Sequence, residues 1–252
     1  MAIDILEIIN KLRKCGFLPT VQRCSYSLDL KTVLGIVERL GKEVNPAFVL
    51  DDENRWTYIQ LLKWLAGDKT MQAIDPDTGK VVAGRLDAGL YLAGPTGSGK
   101  SVALNIMLML ARTFNIQVTL SGEQRCIFWK EVRADEIARN GQIDRYNEAG
   151  VLCIQDLGTE PTESVFMGNR FQPMRQLIEH RGDAGGLITL FSSNLPMGSS
   201  VLVDRYGDRV ASRLHEMCNY IELKGKDRRV IRQGGRACPV LNERASRGCF
   251  IG

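Results

Sequence analysis

The run Gly94-Pro95-Thr96-Gly97-Ser98-Gly99-Lys100-Ser101 meets every fixed position of G-x-x-x-x-G-K-[ST]. A loop that wraps a polyphosphate with backbone N–H groups needs glycine, because a residue without Cβ lets the main chain come that close. In such a loop Lys100 reaches the β and γ phosphates, and the Ser101 hydroxyl binds Mg²⁺. The flanks suit this role. Leu90-Tyr91-Leu92 reads as a strand entering the loop, and Val102 to Met107 opens a helix whose N-terminal dipole favours the anion.

Phosphoryl chemistry also needs an acid at the end of a second strand. Val151-Leu-Cys-Ile-Gln155-Asp156-Leu-Gly-Thr-Glu160 supplies four apolar residues followed by Gln-Asp, the pattern of a buried parallel strand that delivers Asp156 to the phosphate edge of a sheet, with Glu160 close behind. A third apolar run, Leu187 to Phe191, ends in Ser192-Ser193-Asn194 and places the Asn194 amide to orient an attacking water. Arg209 and Arg213 are spaced i, i+4 and share a helix face. A guanidinium that completes a γ-phosphate site is worth several orders of magnitude in turnover.

These residues must be held by an alternating fold. From about residue 80 onward, short apolar strands alternate with helical stretches, the signature of a parallel sheet with crossover helices. The expected series is a helix from Lys100 to Thr113, a strand over Ile116–Leu120, a helix over Glu131–Arg139 and a strand over Val151–Gln155. A helix over Gln172–His180, a strand over Leu187–Phe191, a helix over Arg209–Met217 and a strand over Tyr220–Leu223 follow. Before this lie three amphipathic segments, around residues 3–15, Val33–Leu40 and Trp56–Leu65, and a turn at Asp75-Pro-Asp-Thr-Gly79. At helical spacing Trp56 and Trp64 read as core residues. The expected division is a helical N-terminal region over 1–80, an α/β core over 81–230 and a basic C-terminal tail over 231–252.

Composition bounds the class. The chain has 252 residues, 44% hydrophobic and 25% charged, with 25 Gly and 8 Pro, which excludes a disordered, collagenous or disulfide-scaffold protein. Seven scattered cysteines without a C-x-x-C pair support neither zinc nor disulfides, and a reduced, cytoplasmic compartment fits them. Asn105 interrupts the longest apolar stretch, Val102 to Ala111, so neither a membrane span nor a signal peptide is expected. The net charge of +4 is small, but the residues from Lys224 onward hold eight basic side chains against Asp227 and Glu243. That segment suits contact with a phosphate backbone or an acidic surface. Through residue 60, eight basic residues balance eight acidic ones, which favours a protein partner there.

Gly94 to Ser101, Val151 to Glu160, Ser192-Ser-Asn194 and Gly207-Asp-Arg209-Val-Ala-Ser-Arg213-Leu together resemble the DnaC/IstB-like branch of the AAA+ ATPases, which contains bacterial helicase loaders and transposition helpers. The resemblance covers about residues 85 to 230. It implies an AAA+ P-loop NTPase core, an α/β fold with a parallel sheet flanked by helices, plus a small, mostly helical N-terminal region that binds a partner. It further implies ATP and Mg²⁺ as cofactors, a metal and water-activating site at Asp156, a first sensor at Asn194, and an arginine finger at Arg213 supported by Arg209. The finger acts on the neighbouring subunit's nucleotide, so self-association controls hydrolysis. The implied partners are a replicative helicase or a transposase, and single-stranded DNA; the implied process is DNA replication through helicase loading.

One departure matters. Two adjacent acids are expected at the end of the second strand, and here the first position is Gln155. A neutral amide gives up most of the attraction to Mg²⁺, so slow hydrolysis and an ATP-held scaffold are alternatives, beside an IstB-like transposition helper. A small-molecule kinase would leave Asn194 and the Arg209/Arg213 helix unexplained, and no Asn-Lys-x-Asp motif follows the loop to suit a GTPase. Leu120-Ser-Gly-Glu-Gln-Arg125 resembles an ABC-transporter signature, but it follows Lys100 too soon and reads as a strand-to-loop transition.

Overall fold

A computed structural model describes residues 4–15, 20–166, 169–225 and 227. The expected basic tail over 231–252, and most of the segment from Lys224 to Arg236, lie outside the described residues. The first half of the chain contains α1 (Ile5–Lys14), β1 (Val21–Arg23), α2 (Leu30–Val44), α3 (Asp52–Ala66), β2 (Gln72–Ile74), β3 (Val81–Ala83), β4 (Gly89–Ala93), α4 (Lys100–Thr113), β5 (Gln117–Leu120) and β6 (Glu123–Cys126). Then come β7 (Lys130–Arg133), α5 (Ala134–Asn140), α6 (Asp144–Asn147), β8 (Val151–Leu157), β9 (Ser164–Phe166), β10 (Asn169–Phe171), α7 (Pro173–Ala184), β11 (Ile188–Ser193), α8 (Ser200–Tyr206), α9 (Asp208–Met217) and β12 (Cys218–Glu222).

The main sheet has the order β3-β2-β12-β4-β11-β8-β7. From β12 to β7 every pairing is parallel, and β2 and β3 extend it antiparallel. In chain order the parallel strands run 5-1-4-3-2, with the glycine-rich loop's strand β4 between β11 and β12. Strand order reverses beside β4, so the crevice at the carboxyl ends of β4 and β11 is where a ligand belongs. Every residue of β4 and β11 is buried, because helices cover both faces of the sheet. On one face Leu104 and Met107 of α4 and Leu61 and Trp64 of α3 pack with Leu90, Leu92 and Leu190. On the other, Leu177 and Ile178 of α7 and Val210 and Leu214 of α9 pack with Tyr91, Ile154 and Phe191. Each such side chain contributes about 1.5–3 kcal/mol by leaving water.

The N-terminal helices join this core. A capping box between Asp51 and Asn54 starts α3, and Gly67, at φ 66°, ends it. The Trp64 indole N–H donates to the Ala88 carbonyl at 2.9 Å. The Arg23 guanidinium stacks 4.5 Å over the Trp64 ring and donates to the Trp64 and Leu65 carbonyls at 2.8 Å each; burial lowers its pKa to about 10. The boundary expected near residue 80 falls inside the hairpin that joins β2 and β3 to the sheet. By contrast α1 leaves Ile5 and Leu6 about 70% exposed.

Two expectations change. Glu131–Arg139 is not one helix: β7 occupies Lys130–Arg133 as the parallel edge strand beside β8, and α5 starts only at Ala134. Ile127 and Trp129 are buried on either side of exposed Phe128, and Val132 and Ala134 on either side of exposed Arg133, before the helical spacing of Ala134, Ile137 and Ala138 takes over. The strand expected over Ile116–Leu120 forms as β5, but it pairs antiparallel with β1 and β6 outside the main sheet. Ser121 and Gly122, at φ 48° and 88°, make the tight turn to β6, so Leu120–Arg125 is a hairpin tip.

Candidate functional site

At the crevice the glycine-rich loop leaves β4 and runs into α4, whose first residue is Lys100. Gly97 (φ 80°) and Gly99 (φ 101°) adopt left-handed conformations that side chains strain to reach. A Cβ on Gly97 would also collide with the Asp227 carboxylate, whereas Gly99 faces open space. Lys100 is buried, and its ammonium donates to the Gly94 carbonyl at 2.7 Å, the Pro95 carbonyl at 3.0 Å and the Asn194 Oδ1 at 2.7 Å. Asn194 in turn donates from Nδ2 to the Thr96 hydroxyl at 3.2 Å. The expected sensor and loop lysine therefore meet in one hydrogen-bonded group. The Ser98 hydroxyl is buried without a partner among the described residues.

Asp156 reaches the same place by a distortion of its strand. β8 and β11 stay in register to Ile154 opposite Phe191, and the next pair is Leu157 opposite Ser193. Gln155 and Asp156 thus share the single position of Ser192, a bulge of the kind that re-aims a side chain. Asp156 takes φ 58°, and its backbone N–H donates to the Ser192 hydroxyl at 3.1 Å. Ser193 locks the following turn, donating to the Leu157 carbonyl at 2.7 Å and accepting from the Leu195 N–H at 3.0 Å.

These groups line a cavity of about 480 Å³, within the size range of ligand sites. Thr96 to Val102 line it together with Arg133, Asp156, Thr159 and Asn194, and with Asn45 and Phe48 between α2 and α3 and Asn54 and Tyr58 of α3. Phe48 and Tyr58 meet edge to face, 5.7 Å between ring centres. The Arg133 guanidinium pairs with the Asp156 carboxylate at 3.0 Å. Ser101 and Asp156 offer a hydroxyl and a carboxylate, the hard oxygen donors Mg²⁺ takes while keeping several waters.

The other predicted residues lie elsewhere. Gln155 is not among the cavity-lining residues; its amide lies beside the Glu131 carboxyl, whose pKa burial raises while the Gln155 and Trp129 side chains partly counter it. Glu160 is buried away from the cavity and accepts from the Gly158 N–H at 2.9 Å and from the Tyr206 hydroxyl, with Arg205 alongside. It ties the loop after β8 to α8. Arg213 pairs with Asp183 and, at 2.6 Å, with Glu216; Arg209 pairs with Asp183 at 3.2 Å and approaches Glu179 at 3.7 Å. Neither arginine lines its own chain's cavity.

Sequence reasoning missed Arg133, hidden in a segment read as helix, and the wall from the α2–α3 turn. Lys130-Glu-Val-Arg133 carries a single apolar residue and gives no strand signal for the first, and nothing in residues 45–58 signals the second.

A comparison with protein-family models gives no match, and neither does one with curated proteins. Among solved structures the chain is similar to DnaI, at 20% identity and a TM-score of 0.47 over 69% of this chain and 87% of that one. It is also similar to a candidate primosome component from Streptococcus pyogenes serotype M3, at 17% identity and a TM-score of 0.45 over 71% and 83%. A third is the DnaC helicase loader, at 16% identity and a TM-score of 0.44 over 71% and 95%. These likenesses concern the fold. Among the described residues no helix is long and apolar enough to cross a membrane.

Proposed function

We propose that the chain is a cytoplasmic, Mg²⁺-dependent ATPase of the AAA+ class that acts in DNA replication, loading or remodelling a replicative helicase on single-stranded DNA. The observation that carries the ATPase reading is the junction of Lys100, Asn194 and the loop carbonyls beside Asp156 in one cavity at the carboxyl edge of a parallel sheet. The helicase-loader reading rests on the resemblance of the motifs.

Lys100 exchanges its two carbonyl partners for the phosphates, while the backbone N–H groups of Gly97 to Ser101 wrap them. Ser101 and Asp156 would hold Mg²⁺, which would supply positive charge to offset that of the phosphates. Asn194 keeps its contact with Lys100 and orients the attacking water. The base extends toward Asn45 and Phe48. Arg213, with Arg209 beside it, serves the nucleotide of an adjacent subunit, so hydrolysis waits for assembly. Basic residues from Lys224 to Arg236 grip DNA phosphates, and that grip falls with salt. A second reading, an ATP-held switch, is favoured by Gln155 at a position where an acid is expected.

The test is ATP binding and hydrolysis with Mg²⁺ by the protein alone, then with single-stranded DNA and the host's replicative helicase. Helicase-stimulated turnover is expected. Tight binding without turnover under every condition selects the switch, and absence of nucleotide binding overturns both readings.

A further inference from the structure

Arg133 is the second cation of the cavity, and nothing in the motif pattern assigns it a role. It is the last residue of β7, held by register beside Gln155 of β8, so its backbone is fixed by the sheet. Its side chain is 68% exposed and lines the cavity that the phosphate loop also lines. Among the described residues its guanidinium pairs with Asp156 alone, at 3.0 Å. The α9 arginines, in contrast, are held by several acids away from this cavity.

We infer that Arg133 reads the γ-phosphate of the nucleotide bound by its own chain. This deepens the ATPase reading above and rests on it. When Asp156 turns to the metal, Arg133 loses its anion in the cavity that Lys100 and Asn194 also line. A terminal phosphate carries more negative charge than a carboxylate and can take both arms of the planar guanidinium, whereas Asp156 meets it through Oδ2. ADP carries no phosphate there, so Arg133 keeps Asp156. The chain therefore distinguishes ATP from ADP before any neighbour contributes a residue, and the Arg133–Asp156 pair marks the site without a γ-phosphate.

The experiment is equilibrium binding of Mg²⁺-ATP and Mg²⁺-ADP to the full chain at dilution, for the natural protein, Arg133→Ala and Arg133→Lys. Circular dichroism and thermal melting establish that each variant folds. Arg133→Ala is expected to weaken ATP about tenfold or more and to leave ADP within about twofold. Arg133→Lys, which keeps the charge but not the fork, recovers part of the loss. Equal changes for both nucleotides, or none, overturn the proposal; so does altered turnover at an unchanged ATP-to-ADP ratio, which reduces Arg133 to positioning Asp156. If the natural protein binds neither nucleotide, the ATPase reading itself falls, a result distinct from loss of selectivity.

Discussion

The arginine–carboxylate pairs at the cavity and on α9 stand in contrasting settings. In the cavity one arginine, Arg133, faces one acid, Asp156, each fixed by a strand end and a bulge. On α9 two arginines share Asp183, Glu179 and Glu216 on an open face where α7 and α9 pack. There the close approach of Arg213 to Gly182 leaves no room for a larger residue on α7. The first pair sits where a bound anion competes directly for the guanidinium. Solvent screens the pairs on α9, so each contributes little to stability. On the reading proposed above, identical chemistry serves recognition within the chain in one place and between chains in the other, and the surroundings decide which.

The largest effect that tests this division is on Arg213. Arg213→Ala should lower turnover about 10³-fold in the assembled form while ATP affinity of the dilute chain stays unchanged. Turnover per subunit that is independent of protein concentration in the natural protein would break the comparison, since no neighbour would then be needed. Next comes Lys100→Ala, which removes the ammonium that Asn194 and the loop carbonyls position. Titration should show ATP affinity reduced about a hundredfold or more, near 2.7 kcal/mol, whatever the assembly state. A smaller, purely structural effect belongs to Glu160. Glu160→Gln weakens the buried acceptor of Gly158 and Tyr206 by about 2 kcal/mol, lowering the melting temperature by about 4–8 °C and leaving ATP affinity intact. Loss of ATP binding without loss of stability would move Glu160 into the site.

Much of this arrangement was legible in the residues. The loop's glycines, the apolar runs of β4, β8 and β11, and the acids and amides that end them are local patterns, and buried parallel strands write themselves as continuous apolar stretches. The edge strand β7 did not, because Lys130-Glu-Val-Arg is half solvent-facing and merges into the helical spacing of α5. The placement of Arg133 depends on pairing with a strand well separated in sequence, and that of Asp156 on a bulge that only the mismatch with β11 creates. The cavity wall at Asn45, Phe48 and Tyr58 is a tertiary contact between the N-terminal helices and the loop, with no periodic signature.

Gln155 gives the subtlest break in the comparison, because its amide meets an acid, Glu131, although its register partner on β7 is Arg133. The natural Gln155 amide lies beside Glu131, a carboxyl whose charged form burial already disfavours. Gln155→Asp alone places two like charges together, pushes the Glu131 carboxyl further up and should change turnover less than about threefold. With Glu131→Gln added, the new carboxylate keeps its charge and turnover should rise about tenfold, a coupling that a double-mutant cycle measures. The pH profile separates the two variants. In Gln155→Asp, raising the pH charges both buried groups, so stability present at acid pH is lost as pH rises through the raised carboxyl values. In the double variant that loss disappears. A full gain from Gln155→Asp alone would mean that Glu131 exerts no hold on position 155. The amide would then be a loss of catalytic charge with no compensation on β7.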